Sequence, residues 1–157
     1  MAFADMHIHL LFGVDDGAED EDEMRAIVDE AYRSGTRVIC CTPHFHPGYF
    51  GNHVDKANFA FARLSAYVKD TYPDMMLYLG NELRYAPESV AWLRQGICKT
   101  LNNTRYVLVD FSEAASEKTI VSGLGALLNA GYMPVLAHTE RYRSLHGNIS
   151  VINELWH

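Results

Sequence analysis

Apolar positions along this chain change period repeatedly, and each change marks an element. From Met1 to Leu10 an apolar stretch is interrupted by Asp5, His7 and His9, which reads as a first strand. Met24, Ile27, Val28 and Ala31 then recur at helical spacing behind an acidic run, Glu19 to Glu23. Acidic side chains suit the start of a helix dipole and Gly35 is a natural stop, so that run reads as a solvated helix start. Arg37 to Thr42 is a β-branched second strand bounded by Gly and Pro. A helix over Val54 to Thr71 puts Ala57, Phe61, Leu64 and Val68 on one face, and Pro73 ends it. Leu77 to Gly80 is a third strand, and Pro87-Glu88 opens a short helix through Trp92 and Leu93. Tyr106 to Phe111 is a fourth strand. Ser116 to Ala130 is a helix carrying Ile120, Leu124, Leu127 and Leu128, and Met133 to Ala137 is a fifth strand. Asn148 is placed to cap a last helix running to His157.

Strands alternating with helices at this spacing indicate parallel βαβ units. With no internal repeat and no linker-like stretch, residues 1–157 read as a single α/β domain, a length sufficient for one real core. No apolar run approaches the roughly 20 residues of a membrane span, and the N-terminus lacks the pattern of a signal peptide, so a cytoplasmic location is expected. The net charge of −7, with no Lys/Arg cluster, argues against nucleic-acid binding. It would also repel an anionic substrate unless bound cations reverse the sign locally. Cys40, Cys41 and Cys98 read as reduced, buried small hydrophobes. A Cys-dependent phosphatase would need Arg six positions after its nucleophile, where this chain has His46, Pro47 and Thr104.

In parallel α/β folds ligands bind at the carboxyl ends of strands. The first strand ends in His7 and His9, followed by a turn with Asp15 and Asp16. The second ends in His44, the third in Glu82, the fourth in Asp110 and the fifth in His138. A lone His at a strand end is more often a capping or core residue than a ligand. Side chains two apart on a strand share a face, however, so both imidazoles of the His7/His9 pair can reach one ion. Agreement at five successive strands points to a metal cluster, and the mixture of imidazole and carboxylate suits Mn, Fe or Zn better than Ca or Mg. Arg141, three residues after His138, is either a surface cation or a bidentate phosphate binder on the rim. His46, Tyr49 and Phe50 lie in a loop that either walls a substrate site or anchors itself.

At these residues the sequence resembles the polymerase and histidinol phosphatase (PHP) superfamily, specifically its bacterial capsule-type tyrosine phosphatases. The segments that carry the resemblance are Asp5-Met-His-Ile-His9, Phe12-Gly-Val-Asp-Asp-Gly17, Thr42-Pro-His44, Gly80-Asn-Glu82, Arg105-Tyr-Val-Leu-Val-Asp-Phe-Ser112 and Pro134-Val-Leu-Ala-His-Thr-Glu-Arg141. The resemblance implies a distorted, TIM-like (β/α)7 barrel of which this chain holds about five βα units, the N-terminal two-thirds. It implies up to three divalent ions, manganese first, with iron or zinc as alternatives. His7, His9 and Glu82 would hold one ion. Glu82 would bridge to a second, held also by Asp110 and His138, and Asp16 with His44 would serve a third. Arg141 would bind the substrate phosphate. The implied reaction is hydrolysis of phosphotyrosine on a tyrosine kinase controlling capsule or exopolysaccharide export, by attack of a metal-activated hydroxide on phosphorus. A phosphatase of small phosphate esters, or a non-catalytic remnant that binds a partner, are the alternatives.

Asp110 stands where these relatives usually have Glu. The Asp-x-His pair of the family's last strands, which completes two of the ion sites, has no counterpart here. Five strands leave a barrel of this type open, with apolar side chains among Val38, Ile39, Val135 and Leu136 on its inner face. Either the chain associates through that side, or the remainder of a longer polypeptide covers it.

Overall fold

The computed structural model describes residues 2–50 and 53–147. The last helix expected from Asn148 onward lies outside the described residues. Among the described residues seven strands and four α-helices follow one another: β1 (Phe3–Ile8), α1 (Glu21–Arg33), β2 (Thr36–Cys41), β3 (His44–Phe45), α2 (Val54–Thr71), β4 (Met76–Leu79), β5 (Glu82–Arg84), α3 (Ser89–Arg94), β6 (Tyr106–Asp110), α4 (Glu117–Asn129) and β7 (Met133–Leu136). All strand pairs are parallel, in two sheets of order β1-β2-β4 and β3-β5-β6-β7. The parallel α/β architecture expected from the alternation is therefore present.

The sequence suggests five strands where the structure has seven. Thr42-Pro43 interrupts one strand between β2 and β3, and Gly80-Asn81 interrupts its neighbour between β4 and β5. Proline has no N–H to give to a ladder, so pairing lapses at Pro43 and resumes at His44. Both breaks fall at the same level. Gly80 N donates to Cys41 O before the break and Glu82 N to Pro43 O beyond it. Asn81 fills the gap, its amide donating to Pro43 O at 3.1 Å and its carbonyl accepting from Lys99 N at 2.8 Å. The surface bends here, and the bend puts His44 and Glu82 side by side as register partners.

Helices cover the outer faces. Asp20 caps α1, its carboxylate accepting from Glu23 N at 2.9 Å, and Ser116 caps α4 by accepting from Thr119 N at 3.1 Å. The acidic first turn of α1 is thus accounted for by capping and by ion pairs to Arg25 and Arg63. One core joins α1 and α2 to the first sheet through Met24, Val28, Ile39, Leu64 and Val68. A second joins α3 and α4 to the other sheet through Leu83, Leu93, Val107, Val109, Ile120 and Leu127. Each such side chain contributes about 1.5–3 kcal/mol on leaving water. Between the sheets, on the inner face, Cys40, Leu101, Leu108 and Ala137 form a small third cluster beneath the site.

The apolar inner face differs in detail from expectation. Ile39 is fully buried, in the outer core, because alternation turns it away from Cys40. The exposed apolar residues include Phe3, Met76, Tyr106 and Val135, the last at 41%. Met76, Tyr106 and Val135 each lie two positions before a member or neighbour of the inner cluster, so they share its face. No helix among the described residues is long and apolar enough to cross a membrane.

Candidate metal centre

Strand ends from both sheets converge on one carboxylate. Glu82 opens β5 and has no exposure to solvent. Its Oε2 lies 3.3 Å from His7 Nε2, 3.1 Å from His9 Nε2 and 3.1 Å from His44 Nδ1. Its Oε1 lies 3.1 Å from His138 Nε2. None of these approaches has hydrogen-bond geometry, so both oxygens are buried without a hydrogen-bond partner. The Nε2 atoms of His7 and His9 are themselves 3.3 Å apart. Imidazole nitrogens gathered around an orphaned carboxylate fit a divalent cation, which would satisfy acceptors on every side at once.

The turn after β1 fixes the orientation of this cluster. Asp15 Oδ2 lies 2.7 Å from His9 Nδ1 and accepts from His44 N at 2.8 Å, while Oδ1 accepts from Gly17 N at 3.1 Å. A carboxylate on the far nitrogen of an imidazole sets its tautomer and presents Nε2 to the ion. Gly17 is needed at this point because a Cβ there would stand 2.1 Å from His9 O. Thr42, in the strand break, accepts from Ile8 N at 3.0 Å and so pins the end of β1 between the two histidines. His138 follows β7 in the left-handed region, at φ 51°, a conformation that costs a non-glycine residue energy and recurs at functional sites.

Charge follows geometry. Burial alone would raise the Glu82 carboxyl, but the imidazoles of His7, His9 and His44 hold it far below the usual carboxylate range. Burial would depress His9, yet Asp15 first and Glu82 second raise it to about 10. His44 is pushed down by burial. The three cysteines are buried and free, and burial pushes Cys40 up to about 11 and Cys98 to about 12, so neither is a thiolate nucleophile at neutral pH.

Two groups of potential ligand atoms emerge: His7, His9 and Glu82, and His9, Asp16 and His44. His9 can serve only one, because Asp15 occupies its Nδ1. The second group then reduces to His44 and Asp16, whose side chain is 63% exposed and lies 3.5 Å from His44 Nε2. Asp110 lines the same cavity but faces other partners: Arg84 Nη2 is 2.7 Å from its Oδ2 and the Tyr142 hydroxyl 3.1 Å from its Oδ1. The cavity, of about 640 Å³, is also lined by His46, Tyr49, Phe50, Ser112 and Arg141. Phe50 stacks on the His44 ring with centroids 4.8 Å apart, and Tyr49 packs edge-on against Phe50.

Asp15, Arg84 and Tyr142 carry no role in the sequence reading. Arg84 could have been found by alternation, since it lies two residues after Glu82 on the same strand. Tyr142 and Asp15 act through folded-chain proximity and leave no comparable periodic signal.

A sequence profile for capsular polysaccharide synthesis proteins of the CpsB/CapC type matches residues 3–157. The tyrosine-protein phosphatase CpsB of Streptococcus pneumoniae is 35% identical over 151 residues, 96% of this chain and 62% of that protein. The tyrosine-protein phosphatase YwqE of Bacillus subtilis is 31% identical over 152 residues, 96% of this chain and 59% of its own length. A solved structure from work on YwqE and CpsB, described as unique metal-dependent tyrosine phosphatases, superposes with a TM-score of 0.86 at 29% identity, covering 99% of this chain and 62% of that one. The chain thus spans about three-fifths of the length of the curated relatives it matches.

Proposed function

Because the chain belongs to the CpsB/CapC family of capsular polysaccharide synthesis proteins, we propose that it is the metal-holding part of a protein-tyrosine phosphatase. The observation that carries this reading is the fully buried Glu82 carboxylate, without a hydrogen bond and ringed by His7, His9, His44 and His138. His7, His9 and Glu82 form the principal ion site, and His138 approaches the other Glu82 oxygen as a ligand to a second ion. His44 and Asp16 form a weaker site at the mouth. These residues would hold divalent ions, manganese first among the candidates, whose chemistry when bound would be activation of water and neutralisation of phosphoryl charge.

The chain's own residues account for the rest. The surrounding imidazoles hold the Glu82 carboxyl in its charged form despite burial, as an anionic metal ligand requires. Asp15 keeps the His9 ring from rotating. Arg141, exposed on the rim of the cavity, is a bidentate partner for phosphate oxygens. Tyr49 and Phe50 line the wall next to His44, where an aryl group entering with its phosphate would lie. The substrate in this reading is phosphotyrosine on a protein of the capsule-export machinery, a tyrosine kinase. A second copy of the chain covering Phe3, Met76, Tyr106 and Val135 completes the set of proposed partners.

The test is release of phosphate from a phosphotyrosine peptide, set against p-nitrophenyl phosphate and small alkyl phosphates, with Mn²⁺ and with chelator. Mn²⁺-dependent turnover favouring the aryl esters is expected. Turnover insensitive to chelator, or confined to alkyl phosphates, would refute the assignment.

A further inference from the structure

Arg84 and Asp110 stand directly opposite each other on β5 and β6, so their side chains leave the same face of the sheet. Alternation along β5 makes that the face of Glu82. The two form an ion pair, Arg84 Nη2 to Asp110 Oδ2 at 2.7 Å, with Asp110 nearly buried and Arg84 30% exposed. The other carboxylate oxygen faces the buried Tyr142 hydroxyl at 3.1 Å. Tyr142 is itself anchored, standing 2.7 Å from Ala137 O and accepting from Phe111 N at 3.2 Å.

Glu82 and Asp110 are thus opposite cases within one cavity. Glu82 has two orphaned oxygens, whereas Asp110 Oδ2 is paired with Arg84 and Oδ1 shares the Tyr142 hydroxyl with Ala137 O, and Asp110 belongs to neither group of converging ligand atoms. Turning Asp110 toward an ion would strip Arg84 of its counter-charge. Arg84 Nε is already buried without a partner, so the guanidinium depends on Asp110 for its place. A guanidinium carries five N–H donors in a planar fork. With Nη2 committed to Asp110, Nη1 remains to meet an anion in the cavity that Arg84 lines together with Ser112, His138 and Arg141.

We propose that Asp110 is a positioning residue that aims Arg84 into the cavity, in place of the ligand role expected for it, and that Arg84 binds the substrate phosphate together with Arg141. Arg141 sits at the rim and Arg84 deeper in, so a phosphomonoester is gripped from two levels. The inference rests on the phosphoesterase reading above. A planar donor fork matches phosphate oxygens and is not replaced by a neutral side chain of similar length.

The experiment compares wild type with Arg84→Met, Arg84→Gln, Asp110→Asn and, as comparator, Glu82→Gln. Manganese content is measured by elemental mass spectrometry after loading and desalting, and inorganic phosphate binding by calorimetry on the loaded protein. The Arg84 variants and Asp110→Asn should keep wild-type manganese content while phosphate binds at least roughly tenfold more weakly, the effect of one charge-assisted contact. Glu82→Gln should lose manganese. Two neutral replacements of Arg84 are included so that either one, if folded, decides the matter. If Asp110→Asn loses manganese as Glu82→Gln does, Asp110 is a ligand and the inference is overturned. If an Arg84 variant binds phosphate as tightly as wild type, the role of Arg84 is overturned while the phosphoesterase reading stands. A wild-type protein that takes up no manganese and binds no phosphate would refute both.

Discussion

A carboxylate fully removed from water must find donors or a cation, and at Glu82 four imidazole nitrogens approach without making one hydrogen bond. Asp16, by contrast, is mostly exposed and faces a site to which His9 cannot contribute while Asp15 holds it. The two acids should therefore respond very differently to removal. Glu82→Ala is expected to abolish tight manganese binding and to lower turnover of p-nitrophenyl phosphate by on the order of a hundredfold or more, and Asp16→Ala to cost about tenfold. Elemental analysis and steady-state rates on the two variants check this, and equal or reversed effects would show that Glu82 is not the centre of the site. At this scale much was legible. His7, His9, His44, Glu82 and His138, which the structure gathers together, all stand at strand ends in the sequence, and so does Asp110, which faces Arg84 instead. The roles of Asp15 and Tyr142 were not legible, because a residue that orients another is recognised only by the contact it makes, and such contacts join turns and strands far apart in sequence.

Among elements, the breaks at Thr42-Pro43 and Gly80-Asn81 decide the geometry. The sequence reading ends the second strand at Thr42 and the third at Gly80 and has no strand for β3 or β5, since two or three residues are too few to show a period. The physical sign was present in Pro43 and Gly80, but which sheet each half joins depends on pairing partners. The turn after β1 is as constrained as the breaks. Gly17 passes so close to His9 that an added Cβ would meet His9 O, C and Cβ within 2.8 Å. Gly17→Ala must shift the backbone carrying His9, and a loss of about 1–3 kcal/mol in stability is expected. Denaturant unfolding measures that loss, and manganese titration should show weaker binding by the same protein. Wild-type stability with wild-type affinity would mean that the turn is free to relax.

For the molecule as a whole, two sheets with separate outer cores share a third, inner cluster, whose Ala137 adjoins His138 of the candidate metal centre. The net charge of −7 disfavours the approach of a phosphate dianion, which Arg84, Arg141 and bound cations would offset locally. The inner face leaves Met76 at 51%, Tyr106 at 45% and Val135 at 41% exposure, an apolar surface of the kind that proteins tend to cover. Association through it is expected, seen by light scattering as a mass above the 17.7 kDa of one chain. Tyr106→Glu, which places a charge on that face, should shift the population toward the monomer. A 17.7 kDa monomer at all concentrations would mean that a second copy does not cover this face.

The claim on which the rest depends is that Glu82 and its ring of histidines hold a divalent ion. Diffraction from crystals grown with Mn²⁺, recorded at the manganese absorption edge, locates the ion without recourse to activity. An anomalous peak is predicted at coordination distance, roughly 2.0–2.2 Å, from a Glu82 oxygen and from Nε2 of both His7 and His9. Manganese found only on surface carboxylates such as Glu19 or Asp22, with none at Glu82, would contradict the account.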